Sequence, residues 1–449
     1  MTVLIDALNG VLWNYILIYG LLAVGILFTF RLGFLQLRHF PEFFRVISKS
    51  ETTDKHGISP FQALTISLAS RVGTGNIAGV AVALSLGGPG AIFWMWVVAF
   101  LGMATAYAES TLAQLYKVEN AEGQYRGGPA FYIARGLRAP WAGSLFSIFL
   151  ILSFGLVFNA VQANSIADAM EGAFGLNKLW VGIAVAILSG IIIFGGIRQI
   201  ARVAEVIVPV MAGLYLLLAI AVVIMNLSEI PGVLALIFSH AFGLQEAAGG
   251  VTGGVLAAML NGVKRGLFSN EAGMGSAPNI AAVATPQPHH PSSQGFVQAL
   301  GVFIDTIVIC TCTAIMILLS DVYQFGGPIE GATLTQNALN EQFGAFGLYF
   351  IAVAIFFFAF TSIIGNFAYA ENAMAFLRAD GKLPMTLLRL AAMAMVVWGA
   401  YESVATVFNA ADASMGLMAT INLIAIVVLS GTCLLYTSDA ADDNPCVDL

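Results

Sequence analysis

The sequence predicts an all-α polytopic membrane protein of about eleven transmembrane helices, two of them interrupted at mid-membrane. Three observations lead there. Of the 449 residues, 59% are hydrophobic and 10% charged, with a mean hydropathy of +0.88, whereas a soluble domain carries about 25% charged residues. The apolar residues come in runs near the ~20 that a helix needs to cross a bilayer, separated by short polar loops. Two of those runs are broken by polar, glycine-rich stretches, Ser70-Arg71-Val72-Gly73-Thr74-Gly75-Asn76 and Ser269-Asn270-Glu271-Ala272-Gly273-Met274-Gly275-Ser276.

The first expected span covers 12–33. Asp6 and no basic residue precede it, so it lacks the charged start of a signal peptide and reads as a retained helix. The spans that follow are 59–86 (broken), 90–116, 143–171, 179–197, 203–225, 256–284 (broken), 295–320, 344–376, 384–399 and 404–431. The run Ile230–Phe242 is too short to span and reads as a re-entrant or interfacial helix in a long loop.

Lys and Arg set the orientation. With the N-terminus outside, 14 of the 18 basic residues fall in inner loops or at inner helix ends. They are Arg31, Arg38, Arg45, Lys49, Lys55, Lys117, Arg126, Arg135, Arg138, Arg198, Arg202, Arg378, Lys382 and Arg389. Lys178 alone lies in an outer loop, and Arg71, Lys264 and Arg265 sit in or beside the breaks. The expectation is a plasma-membrane protein with its N-terminus outside and its C-terminus in the cytoplasm. The two broken spans then cross in opposite senses, which implies five-plus-five inverted repeats. The domains expected are an extra helix (1–36), a cytoplasmic linker (37–58), the first repeat (59–225), an extracellular loop with a short helix (226–255) and the second repeat (256–432). The remaining stretch, 433–449, turns abruptly acidic and is similar to translated sequencing-adapter read-through, so we expect it to be non-native and the native chain to stop near Thr432.

Hydrocarbon offers backbone amides and carbonyls no partners, so irregular chain at membrane depth persists only where it lines a cavity or binds something. Paired interruptions in two halves are the sequence mark of a secondary transporter's midplane site. No zinc-protease, serine-nucleophile or P-loop motif is present, which argues against an enzyme or an ATP-driven pump. His289 and His290 lack a third ligand at metal spacing. Cys310 and Cys312 read as small core residues on different faces of one helix. The partners expected are a small solute and the lipid bilayer, not nucleic acid.

A break that starts a half-helix frees N–H groups carrying partial positive charge, which suits a carboxylate. Gly73 and Gly75 permit close approach, and Thr74 and Asn76 can add side-chain contacts. The same Gly75-Asn76-Ile77-Ala78-Gly79 also fits a Gly-xxx-Gly helix-packing pattern. At the second break, freed carbonyls of Phe268, Ser269 and Asn270 suit an ammonium group, with room at Gly273. Phe268 and Met274 are placed to bound a substrate side chain or simply to pack. A lone charge at the bilayer centre costs roughly 2.5–3.5 kcal/mol on insertion scales, so Arg71 and Glu271 are expected to approach or pair across the two halves. Asp305, Glu109 and Glu371 also need inward-facing partners, Asp305 as a candidate cation or proton ligand. Asn159, Gln162 and Asn164 either face the substrate path or make helix–helix contacts.

The segment Gly87-Gly88-Pro89-Gly90-Ala91-Ile92-Phe93-Trp94-Met95-Trp96-Val97-Val98-Ala99-Phe100-Leu101-Gly102 closely resembles the signature of the sodium:alanine symporters, the alanine or glycine:cation symporter family. Gly73-Thr74-Gly75-Asn76 and Phe268-Ser269-Asn270-Glu271-Ala272-Gly273 are similar to other stretches of that family. The resemblance covers residues 10 to 432 and implies a leucine-transporter-like fold that imports alanine or glycine with sodium as coupling ion and no cofactor. It further implies a sodium site of carbonyls from Ala69, Val72 and Phe358 and hydroxyls from Thr361 and Ser362. Oxygen donors suit a hard cation.

Overall fold

The computed structural model describes residues 2–48, 57–120, 123, 125–243, 251–286, 290–327 and 331–443. Lys49, Lys55 and His289, used in the sequence reading, lie outside them. In chain order the helices that position the site are α1 (Ile5–Arg31), α2 (Pro60–Arg71), α3 (Gly75–Gly87), α4 (Gly90–Leu115), α5 (Pro140–Phe174), α6 (Lys178–Ile193) and α7 (Gln199–Met225). They continue as α8 (Ile230–Ala241), α9 (Val251–Asn270), α10 (Pro278–Ala281), α11 (Pro291–Leu318), α12 (Ala345–Phe376), α13 (Lys382–Tyr401) and α14 (Val404–Val428).

Eight helices among the described residues are long and apolar enough to cross a membrane: α1, α4, α5, α7 and α11 to α14. With the 16-residue α6 they account for the nine unbroken spans expected. The broken spans are α2 with α3 and α9 with α10. Strand structure among the described residues is confined to one two-stranded antiparallel pair, Val118–Glu119 with Tyr125–Arg126. The chain is helical from Ser430 to Asp443, across the point where its composition turns acidic.

Local sequence sets the helix ends. Ser59 and Gln62 exchange side-chain and backbone hydrogen bonds in a capping box at the start of α2, with Pro60 in the first turn. The side chains of Asn177 and Ser403 accept backbone N–H bonds at the starts of α6 and α14. On α7, Val206, Val210, Leu214, Leu217, Ile220 and Ile224 recur at helical spacing and stay exposed. Such a continuous apolar stripe suits lipid.

The two broken helices lie side by side and antiparallel. Ile58, just before α2, joins the chain that follows α10: its N–H donates to the Val283 carbonyl at 3.5 Å, and its carbonyl accepts from Thr285 N–H at 3.0 Å. At the far end, a Cβ on Gly87 of α3 would stand 2.9 Å from the Asn261 Cβ of α9. Helix α4 packs along both α9 and α11, while α12 packs on α2 and α5. Segments of π-helix at Gly75–Gly79 and Phe303–Cys310 flank the place where the breaks meet. Such bulges widen a helix and free backbone groups.

Candidate functional site

The first break is narrow. Helix α2 ends at Arg71, and Val72 (φ −73°, ψ 84°) carries the chain out of helical register before Gly73. The second break runs from 271 to 277 and uses positive φ at Glu271 (58°), Gly273 (90°) and Gly275 (81°). A left-handed non-glycine residue costs about 1–2 kcal/mol, so Glu271 needs to be held. Ser70 Oγ donates to its Oε1 at 2.8 Å and Ser276 Oγ to its Oε2 at 2.5 Å. Because the chain turns away at Glu271, the last carbonyls of α9, those of Phe268 to Asn270, lack next-turn amides.

The breaks meet in the buried centre of the molecule. A Cβ on Gly75 would lie 3.1 Å from the Phe268 ring and 3.2 Å from the Ser269 Cα. Asn76 Nδ2 donates to Ser269 Oγ at 3.2 Å and to Asp305 Oδ1 at 2.7 Å. The freed amides of the first break have side-chain acceptors: Gly73 N–H donates to Asn76 Oδ1 and Thr74 N–H to Gln162 Oε1, both at 3.1 Å. Two buried polar atoms in the breaks, Thr74 Oγ1 and Asn270 Nδ2, have no hydrogen-bond partner among the described residues. Buried polar atoms left this way point to water or a ligand.

Phe268 lies between Phe158, stacked at 4.7 Å, and Phe408, 5.4 Å away. Gly273 opens toward Leu21 and Leu423 rather than toward the first break. Met274 is buried, with its N–H on the Glu271 carbonyl at 3.1 Å. Gly273 therefore gives no room beside Phe268–Asn270, because its positive φ turns its open side to α1 and α14.

Around the first break, α12 approaches closely. A Cβ on Gly365 would be 3.0 Å from Ser70 N, and one on Gly73 would be 2.3 Å from Ser362 Oγ. Thr361 and Ser362 hydroxyls donate to the Phe358 carbonyl at 2.9 and 3.0 Å. That is the back-bonding usual for hydroxyls in membrane helices, and it leaves their lone pairs available to a cation. Ala69, Val72, Phe358, Thr361 and Ser362 are all buried at this contact.

Arg71 and Glu271 form no direct ion pair among the described residues. The guanidinium donates instead to the Gln298 carbonyl at 3.3 Å, and Glu271 takes the two serines. The cause is geometric: Arg71 leaves α2 toward α11, where Gly301 makes room for it. Glu109 accepts from Asn422 Nδ2 at 3.0 Å, and that same amide holds the Gly273 carbonyl. Glu371 pairs with Arg126 at 3.8 Å. Asn164 donates to the Gly399 and Glu402 carbonyls and Asn159 to Gly155, which are contacts within and between helices.

Sequence reasoning missed Phe158 and Phe408, for which aromatic residues in a membrane chain give little signal. It also missed Asp412, whose carboxylate takes Arg265 Nη2 at 2.6 and 2.5 Å, with the guanidinium over the Phe268 and Phe408 rings. An acidic residue inside the last apolar run was the available clue.

Comparison with known proteins bears on all of this. A sequence profile described as the sodium:alanine symporter family matches residues 1–443. The amino-acid carrier protein AlsT of Bacillus subtilis is 51% identical over 427 residues, covering 95% of this chain and 89% of the relative. The probable sodium/glutamine symporter GlnT of the same organism is 50% identical over 423 residues, covering 94% and 87%. The sodium/alanine symporter AgcS of Methanococcus maripaludis is 39% identical over 437 residues, covering 95% and 94%.

Proposed function

The chain belongs to the sodium:alanine symporter family, and from that premise we propose that it imports alanine or glycine together with sodium across a plasma membrane by alternating access. The observation that carries the reading is the meeting of two interrupted, antiparallel helices in the buried centre, Gly75 against Phe268 and Ser269.

In this reading the substrate carboxylate takes the N–H groups at the start of α3. The Thr74 N–H donates to Gln162 Oε1, and a carboxylate oxygen would accept in its place. The ammonium group goes to the carbonyls of Phe268, Ser269 and Asn270, where the Phe268 ring stacks on Phe158 and lies tilted against Phe408. Sodium takes the carbonyls of Ala69, Val72 and Phe358 with the hydroxyls of Thr361 and Ser362. Its binding orders the chain at Val72–Gly73, and so presents the amides of α3. Each ligand then favours the same state, and such coupling is reciprocal. Helices 59–225 and 256–432 form the two inverted repeats that rock about this centre, with the N-terminus outside. The antiparallel course of the broken helices supports that arrangement.

Proteoliposomes loaded with potassium and placed in sodium medium test the proposal. Labelled alanine should accumulate above its external concentration, and collapse of the sodium gradient should abolish accumulation. Uptake indifferent to the gradient contradicts sodium coupling and leaves a proton-coupled carrier of the same fold. Identity to the relative named as a probable glutamine symporter favours including glutamine in the substrate panel.

A further inference from the structure

Asp305 lies outside both interruptions and is held by both. Asn76 of the first break donates through Nδ2 to Asp305 Oδ1 at 2.7 Å and to its backbone carbonyl at 2.9 Å. Ser269, at the lip of the second break, donates to Oδ2 at 2.5 Å. Thr306 Oγ1 adds a bond to Oδ2 at 2.7 Å and stands 3.2 Å from Ser269 Oγ. Two turns on, Thr313 Oγ1 donates to the Asn76 carbonyl at 2.6 Å, fixing the first break to α11 a second time. Asp305 is fully buried, and among the described residues no basic side chain forms an ion pair with it.

The two oxygens of one carboxylate are therefore gripped by different broken helices. Both bonds form together only at one separation and orientation of the breaks. Displacing either break leaves a buried carboxylate oxygen short of a donor, which is costly where no water replaces it. We propose that Asp305 is a positioning residue that latches the two breaks together and transmits order from one to the other. Building on the symport reading above, sodium that orders the first break fixes Asn76. Through Asp305 and Ser269 it then sets the carbonyls at 268–270 for the amino acid. Asp305 itself touches neither ligand.

The test uses the full chain in nanodiscs, with Asp305→Asn, which keeps shape, and Thr306→Ala, which keeps both cross-break bonds. Alanine affinity is measured in sodium and in choline, and hydrogen exchange of segments 70–80 and 266–278 is followed without ligand. Wild type and Thr306→Ala should bind alanine about tenfold tighter in sodium, while Asp305→Asn should bring that ratio to within about twofold with its affinity in choline little changed. Exchange should rise in both segments in Asp305→Asn and in neither in Thr306→Ala. Retention of the sodium ratio by Asp305→Asn, or faster exchange in only one segment, overturns the latch. If Asp305→Asn does not fold, Asp305→Glu, which displaces the carboxylate by one methylene, must speed exchange in both segments, and unchanged exchange in either overturns the latch equally. Wild-type affinity indifferent to sodium would defeat the symport reading, while the exchange result still decides the latch.

Discussion

Gly75 and Gly79 belong to the same four-residue glycine spacing, yet the structure gives them different work. A Cβ on Gly75 would press on Phe268 and Ser269, whereas one on Gly79 would meet only the Thr74 carbonyl at 3.7 Å. The helix-packing alternative thus holds for Gly75 alone, and its packing partner is the other break. Gly73 is tighter still, against Ser362 Oγ and Gln162 Oε1. Overpacking a close contact costs about 1–3 kcal/mol, enough to disorder a two-residue break. Gly73→Ala should cut sodium-driven alanine uptake by more than about tenfold, and Gly79→Ala should leave it within about twofold, at matched surface expression. The buried Arg265–Asp412 pair gives a second prediction. Removing one member of such a pair strands a charge and costs about 3–5 kcal/mol. Asp412→Asn should lower the melting temperature in detergent sharply, while Arg265→Met with Asp412→Leu should recover most of the loss; an unchanged melting temperature in the single variant would count against the pair.

At the scale of helices, the sequence located the two breaks but not their shape, and it left the π-helical segments at Ile151–Val157 and Phe303–Cys310 unseen. Val72–Gly73 is a kink because Thr74 restarts the helix at once, whereas Pro278 opens only a four-residue turn in α10. The apolar run to 284 does not stay helical, because Val283 and Thr285 leave the helix to bond Ile58. A contact between residues so distant in the chain leaves no trace in local pattern. Arg71 and Glu271 approach closely enough for their charges to interact but do not pair directly: both flank breaks, but spacing along a chain says nothing about which neighbouring helix each side chain faces. The role of the α12 hydroxyls came from the family resemblance rather than from any local pattern, and Ser362 Oγ lies against Gly73 of the first break. Thr361→Ala and Ser362→Ala should each raise the sodium concentration for half-maximal uptake several-fold while leaving alanine's maximal rate at saturating sodium less affected. Equal loss at every sodium concentration would assign them to helix packing instead.

Across the whole molecule, composition carried the architecture, since a membrane chain must satisfy its backbone within helices; the placement of Lys and Arg adds a proposed orientation with the N-terminus outside. Cysteines placed at Asn177 and Asp380 in a background without native cysteines check the orientation. An impermeant maleimide added outside should label Asn177→Cys alone, and Asp380→Cys only after permeabilisation; the reverse pattern inverts the topology. What composition does not reach is the centre, where Asn76, Gln162, Ser269 and Asp305 come from four separate helices or breaks. The account stands or falls on whether an amino acid binds where those interruptions meet. A cryo-electron-microscopy map of the chain with alanine and sodium should place the alanine carboxylate on the Thr74–Asn76 amides and its ammonium group on the Phe268–Asn270 carbonyls. Alanine bound elsewhere, with both sets of backbone groups satisfied by protein alone, would contradict it.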